Sequence, residues 1–308
     1  MTTCKVEAHP VQCDVCHGEE FVTVAGPSYA QATLCPRFAD CALCRGRGFV
    51  RGRDAQGYEV LRSCDLKLLK AKVQLFNEAM IPSAFHAVRL ASPPFRRTEA
   101  NRDAFTHFCD LYERLRANVG PGGRLPRQTK GIGLSGPPGT GKTHLLAAMA
   151  RHLVLDLGLR CRFTDFSQLL WHLKAEFDAG KGEVQLIAPL VAVEVLFIDE
   201  MGKGRGSEWE RSILDALISE RYNRGLITFF ATNYSLSAEP PKSVGFGAAK
   251  ELLKEFAVET LEDRIGGRVA SRLHAMCDLI YLTGASDARK PSGGETALGA
   301  WSTARKLR

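Results

Sequence analysis

The sequence predicts an α/β protein in which a parallel sheet flanked by helices follows a small cysteine-rich module. Three observations carry that expectation. Short apolar or β-rich runs (GIGLS, LRCRFTD, VEVLFID and LITFFAT) alternate with helical segments such as HLLAAMARHLVLDLG and SEWERSILDALISERYNR, the pattern of strands joined by crossover helices. A glycine-rich loop, GPPGTGKT, links the first of those runs to the first of those helices. Finally, Cys4, Cys13, Cys16, Cys35, Cys41, Cys44 and Cys64, seven of the ten cysteines, crowd the amino-terminal part of the chain. A chain of 308 residues is long for one ordinary domain. The composition divides it into a cysteine-rich zinc-binding module (1–64), a helical connector and linker (65–130) and a nucleotide-binding domain (131–308).

Composition also excludes some classes. With 45% hydrophobic and 24% charged residues, the chain can bury a sizeable core and is not a mostly disordered one. Its longest apolar stretches, such as 190–198 with Glu194 inside, fall far short of the ~20 residues a bilayer core needs. The opening MTTCKVEAHP lacks the apolar centre of a signal peptide. A cytoplasmic protein without membrane contact is expected, and in a reducing compartment clustered cysteines suggest a metal before disulfides.

The cysteine segment repeats itself. Cys13-x2-Cys16 is followed by Cys35, and Cys41-x2-Cys44 is followed by Cys64 at almost the same interval. CDVCHGEEFV and CALCRGRGFV match beyond the cysteines, and each unit has a tyrosine, Tyr29 or Tyr58, before its third cysteine. Two knuckle-and-hairpin units of about 28 residues follow, each too small to bury a core unaided, so zinc would supply the missing stability. One arrangement pairs the knuckles in a single tetrahedral site, Cys13, Cys16, Cys41 and Cys44, with Cys35 and Cys64 left over. In the other, each unit contributes three cysteines and borrows a fourth ligand, His17 or Cys4 being available. The paired knuckles are preferred, because CALCRGRG resembles the zinc repeats of DnaJ-type chaperones. Redox chemistry at the CxxC pairs is the rival function.

After this module, DLKLLKAKVQLFNEAM has apolar residues at helical spacing until Ile81-Pro82 stops it, and 99–118 is a second amphipathic helix. SPPFRRT (92–98) and VGPGGRLPRQTK (119–130) read as loops. Then comes the strongest motif. In Gly136, Pro137, Pro138, Gly139, Thr140, Gly141, Lys142 and Thr143, glycines let backbone N–H groups curl around phosphate oxygens. Lys142 would reach the β/γ-phosphates and the Thr143 hydroxyl a Mg²⁺ ion, with His144 opening the helix behind them. VLFIDE puts Asp199 and Glu200 at the carboxyl end of a hydrophobic strand, where an open α/β sheet holds its ligands. Asp199 would hold Mg²⁺ through water, and Glu200 would orient or deprotonate the attacking water. Asn233, after LITFFAT, is placed to hydrogen-bond that water or the γ-phosphate. Arg264, Arg268 and Arg272 recur at four-residue spacing, which by itself describes a solvated helix face.

Taken in order, GPPGTGKTHL, VLFIDEMG, EWERSILDALISERYNRG, FFATNYSL and VASRLHAMCDLIYLTGASDAR resemble the AAA+ ATPases of the DnaC/DnaI helicase loader and IstB-like group. MIPSAFHAVRL resembles the segment preceding their ATPase core, and the likeness spans about residues 65–290. The resemblance implies a P-loop AAA+ sheet, with Lys142, Thr143, Asp199, Glu200 and Asn233 in Walker A, Walker B and sensor 1 roles. It also implies an arginine finger at Arg272 reaching a neighbour's ATP, a second sensor at Arg289, and ATP-dependent homo-oligomers. Implied partners are a DnaB-type hexameric helicase and single-stranded DNA, the latter met by FSQLLWHLKAEFDAGKG through Trp171, Lys174, Phe177 and Lys181. Aromatic residues on such a helix are, however, more commonly core. For the IstB side of the group the partners would be a transposase and duplex DNA. The sequence departs from the loader pattern in its cysteine module and in the long PPKSVGFGAAKELLKEFAVETLED segment. The formal charge of +7 suits a polyanionic partner; positions 1–64 balance seven Lys/Arg against seven Asp/Glu, so the excess belongs to the rest.

Overall fold

The computed structural model describes residues 13–36, 44, 45, 47–90, 101–120, 125, 126, 129–236 and 259–282. Two antiparallel hairpins come first, β1 (Phe21–Ala25) with β2 (Ala30–Leu34) and β3 (Phe49–Arg53) with β4 (Glu59–Ser63). The repeat seen in the sequence is therefore a repeat of structure. Cys35 N–H bonds the Glu20 carbonyl in the first unit, and Cys64 N–H bonds the Gly48 carbonyl at the matching place in the second.

Helices α1 (Asp65–Glu78) and α2 (Arg102–Asn118) form the connector. The remaining elements are β5 (Gly131–Ser135), α3 (Lys142–Leu155), β6 (Cys161–Asp165), α4 (Phe166–Asp178), α5 (Glu183–Val191), β7 (Val195–Asp199), α6 (Glu208–Arg224), β8 (Ile227–Thr232), α7 (Leu261–Ile265), α8 (Gly267–Met276) and β9 (Cys277–Tyr281). Five strands pair in the order β6-β7-β8-β5-β9, all parallel. All four expected strands are present, and β9 adds a fifth at the edge of β5.

The central strands are buried on both faces, as a sheet covered by crossover helices requires. Along β7, Val195 and Phe197 enter one core, with α1, α2 and α3, while Leu196 and Ile198 enter the other, with α4, α5, α6 and α8. Phe197 stacks on Phe229 at 4.7 Å, joining β7 to β8 within the first core. Helix starts follow local chemistry. Asp165 accepts from Gln168 N–H to cap α4, and Ser207 with Glu210 forms a reciprocal capping box on α6. Gly225 then ends α6 in the left-handed conformation.

The expected division at residue 64 is not a division of the core. Phe21, Ala30 and Ala32 of the first hairpin are buried in the same cluster as α1, α2 and α3. Asn77 of α1 accepts from Ala32 N–H at 2.7 Å and donates to the Ala32 carbonyl at 3.1 Å. Ala30 N–H bonds the Ile81 carbonyl, and Phe163 N–H of β6 bonds the Ala79 carbonyl. Phe21, Ala30 and Ala32 of the first hairpin and the connector helices thus pack as part of the sheet domain's own layer, while the knuckle cysteines form a cluster of their own. Docking gives the first hairpin apolar burial that a unit of its size lacks alone.

Candidate functional site

The phosphate loop occupies residues 136–141, between the end of β5 and the start of α3, where β5 is flanked by β8 on one side and β9 on the other. Gly139 and Gly141 adopt φ of 85° and 93°, a region that side chains with a Cβ avoid. The Lys142 ammonium is buried and donates to the Gly136 and Pro137 carbonyls at 2.7 and 2.8 Å. It is thus satisfied by the rim of its own loop, and an anion seated there would compete for it. His144 follows in the first turn of α3, but its half-buried ring packs edge-on against Phe85 of the connector at 5.7 Å, and burial pulls its pKa down.

β7 delivers Asp199 beside this loop. Its carboxylate is buried, accepts from Glu200 N–H at 3.0 Å and is hydrogen-bonded by the Thr143 side chain. Burial is the largest influence and raises its pKa, the Glu200 and Asp165 charges push the same way, and the two hydrogen bonds offset only part of the rise. Asp165 ends β6 directly across from Asp199. A hydroxyl against a carboxylate, with further carboxylates nearby, is an all-oxygen donor set suited to Mg²⁺. The loop glycines, a buried ammonium and this oxygen pair together fit a Mg²⁺-nucleoside triphosphate.

Glu200 turns away from the strand at φ 52°, uncommon for a residue other than glycine and costing about 1 to 2 kcal/mol. The turn is held from behind: Met201 N–H bonds the Ala231 carbonyl, and the buried Thr232 hydroxyl donates to the Met201 carbonyl at 2.8 Å. Glu200 pairs with Lys203 from the following loop, and the pair raises the Lys203 pKa. Arg264 of α7 clamps that loop by donating to the Gly202 and Gly204 carbonyls. Asn233 is exposed at the end of β8, in a chain segment pinned to the phosphate loop by Gly136 N–H on the Thr232 carbonyl and by the Ser135 hydroxyl on the Tyr234 carbonyl.

The structure therefore brings Gly136–Thr143, Asp199, Glu200 and Asn233 to one edge of the sheet. Arg272 lies elsewhere, on α8, where its guanidinium meets Asp215 of α6 at 2.6 Å. Arg289 lies outside the described residues. Sequence reasoning missed Lys203, Asp165 and the clamping role of Arg264. Asp165 was legible in principle as an acidic residue ending a strand. Arg264 was not, because it grips backbone carbonyls that carry no sequence signature.

Among the described residues, the cysteines that come together are Cys13, Cys16 and Cys35, and Cys44 of the expected paired-knuckle site is not with them. Sγ atoms of Cys13, Cys16 and Cys35 lie within 4.8 Å of one another, with Cys13 and Cys35 3.8 Å apart. Cys44 instead packs with Cys64 and Leu66 in a separate cluster, and Cys41 lies outside the described residues. The reason is the hairpin. Each returning strand carries its third cysteine back to its own knuckle, so Cys35 and Cys64 are partners rather than leftovers. Burial disfavours the Cys13 thiolate, but amide hydrogen bonds from Cys16 and Val15 and the neighbouring thiols bring its pKa below the ordinary value. Three buried thiols at this separation fit three corners of a tetrahedral zinc site.

On α4 the stripe Phe166, Leu169, Leu170 and Leu173 is buried, and Trp171 is turned out, 68% exposed. Phe177 is at the margin, its ring 5.7 Å from Trp209. Lys174 pairs with Asp178, and Lys181 with Glu176. Among the described residues no helix is long and apolar enough to cross a membrane.

Residues 86–238 match the family model described as "IstB-like ATP binding protein". YqaM of Bacillus subtilis is 32% identical over 96 residues, covering 30% of each chain. The replicative helicase loader DnaC of Escherichia coli K12 is 33% identical over 103 residues, 33% of this chain and 42% of that one. The chain thus spans less than half the length of these curated relatives. A crystal structure of the DnaC helicase loader aligns with 65% of this chain and 99% of its own at a TM-score of 0.49 and 24% identity. The matched segment runs through the phosphate loop, β7 and β8, and over that segment the chain is similar to IstB-like ATP binding proteins and to the DnaC helicase loader.

Proposed function

We propose that this protein is a Mg²⁺-dependent ATPase that hydrolyses ATP to ADP and phosphate and serves as a replicative helicase loader or DNA replication accessory factor. The observation that carries the proposal is the single sheet edge shared by the Lys142 loop, the Thr143–Asp199 contact and the strained Glu200. In this reading the loop amides and Lys142 would bind the phosphates, Thr143 and Asp199 would hold Mg²⁺, and that ion would supply charge neutralisation of the phosphates. Glu200 takes the proton of the attacking water, and Asn233 orients that water. Arg272 acts in trans, so turnover depends on assembly into a ring or open spiral. Its present partner Asp215 lies on α6, remote in sequence from its own phosphate loop. Arg289 would act as the second sensor. The zinc module, Cys13, Cys16 and Cys35 with a companion unit of Cys41, Cys44 and Cys64, stabilises the amino-terminal region, and the exposed Trp171 on α4 offers a stacking face to single-stranded DNA.

Lys142→Ala should abolish nucleotide binding, whereas Glu200→Gln should bind ATP with near-normal affinity and lose at least a hundredfold in turnover (about 3 kcal/mol of barrier). Equilibrium binding of a fluorescent ATP analogue and phosphate release read both effects, and normal hydrolysis in either variant would overturn the site assignment. For the finger, mixing Arg272→Ala with Lys142→Ala protein should restore part of the activity that each lacks alone. Failure at every mixing ratio would remove the trans role. A second reading, a cytoplasmic transposition helper that binds DNA and activates a transposase, is favoured by the match to an IstB-like family model. Affinity capture from the native cell separates the two: a hexameric helicase supports the loader, a transposase the helper.

A further inference from the structure

The two cysteine hairpins share one construction and have opposite surroundings. In the first, Phe21, Ala30 and Ala32 of one sheet face are buried in the main core. Glu19, just after the knuckle, binds Arg89 of the connector and the buried Arg151 of α3. Matching the repeats through their CxxC pairs and hairpin registers puts Phe49 at the place of Phe21, Glu59 and Leu61 at those of Ala30 and Ala32, and Arg47 at that of Glu19. The same face of the second hairpin is bare, with Phe49 46% and Leu61 72% exposed, and Tyr58 at the turn 72% exposed. Arg51 and Arg53 stand on that face where the first unit has Thr23 and Ala25.

Charge has reversed along with exposure. Positions 1–35 have one lysine against four carboxylates, and positions 36–64 have six arginines against three, a split hidden by the neutral total of the module. Of those three carboxylates, Asp54 is occupied within its own turn, accepting from Gln56 and Tyr58 N–H groups. Lys67 adds a further cation, seated over the Phe49 ring at 3.7 Å.

We infer that the β3–β4 hairpin is a binding surface for single-stranded nucleic acid, with Arg47, Arg51 and Arg53 on phosphates and Phe49 and Tyr58 stacking on bases. One copy of the duplicated unit docks on the ATPase core through an acidic, apolar face. The other presents the corresponding face as guanidinium groups interleaved with exposed rings, the composition that follows a flexible polyanion with accessible bases. This surface is distinct from α4 and does not depend on the reading of the nucleotide site.

The test uses the full chain and a fluorescein-labelled oligo-dT strand, with anisotropy titrations across a salt series. Removing all three guanidiniums (R47A/R51A/R53A) should weaken binding at least tenfold. It should also flatten the slope of log affinity against log salt by about two, since each single-strand phosphate contact contributes about 0.7. Tyr58→Ala should weaken binding to the single strand severalfold more than to duplex of the same length. All four substituted positions are exposed, and an unchanged circular dichroism spectrum and melting temperature in each variant verify the fold. Unchanged oligo-dT affinity and salt slope in the triple variant would overturn the inference. Loss of binding to poly-glutamate but not to oligo-dT would overturn it in favour of an acidic protein partner. A Trp171→Ala variant measured alongside keeps the outcomes separate, because loss there alone supports α4 and counts against the hairpin.

Discussion

Asp199 shows how a single residue can weaken a fold while equipping a site. Its carboxylate sits buried at the end of β7 near Glu200 and Asp165, and burial holds its pKa above the ordinary aspartate value. A carboxyl whose folded pKa exceeds its unfolded one binds more protons in the folded state. Stability therefore falls as pH rises from the unfolded value through the folded one, and stays reduced above it. Asp199→Asn should accordingly raise the melting temperature of the nucleotide-free protein at neutral pH while abolishing Mg²⁺-dependent stabilisation by ATP. The melting gain should shrink as pH drops and the wild-type carboxyl takes up its proton; a gain that is constant across the acid range would contradict the burial argument. Residues of this kind were legible in the sequence because their spacing serves a ligand: GPPGTGKT needs its glycines and lysine in order, and an acidic pair after VLFI marks a strand's carboxyl end. Lys203 and Arg264 were not legible, since one pairs locally with Glu200 and the other grips the Gly202 and Gly204 carbonyls, contacts that any loop shape could have redirected.

At the scale of elements, the sheet is held by a residue that motif reading passes over. Arg221, in the last turn of α6, is fully buried and has no carboxylate partner among the described residues. Its guanidinium instead donates to the carbonyls of Leu190, Val193, Glu194 and Ile227 and to the Thr228 hydroxyl. It therefore ties the end of α5, the entry to β7 and the start of β8 to α6. Burial pushes its pKa down to about 9. Replacing it by methionine removes the charge but strands several buried carbonyls, at about 1 to 3 kcal/mol for each unsatisfied group. Arg221→Met should thus lower stability by roughly 3 kcal/mol or more, read as a shift in the urea midpoint with little change in slope. The helices and strands themselves were readable from periodicity and from buried apolar runs, β7 being the clearest. What periodicity did not reveal is which polar residue inside a helix turns inward: Arg221 follows Glu220 in a run, ISERYNR, that reads as solvated. Trp171 is the converse case, an aromatic residue that falls outside the buried stripe of α4.

For the whole molecule, the decisive contact is Glu19. A cysteine count and a repeat mark positions 1–64 as a module, and composition can go no further, because docking depends on which face meets which neighbour. In the structure Glu19 holds Arg89 and Arg151, and Arg151 is itself buried on the helix that begins at the phosphate loop. Glu19→Gln would leave that guanidinium buried beside a neutral amide, at a cost on the order of 3 kcal/mol for a broken buried pair. The first hairpin also contributes Phe21, Ala30 and Ala32 to the main core. Loss of a metal held there would therefore not be confined to the hairpin. If Cys13, Cys16 and Cys35 hold zinc, a chelator should lower the melting temperature of the entire chain, with the ATPase core and the amino-terminal unit unfolding in one calorimetric transition. Glu19→Gln should lower the temperature of that transition without splitting it, because Phe21, Ala30 and Ala32 still join the first hairpin to the main core. Two transitions already present in the zinc-loaded wild type would mean that the hairpin is an appended domain, and the shared core would not then be the source of its stability.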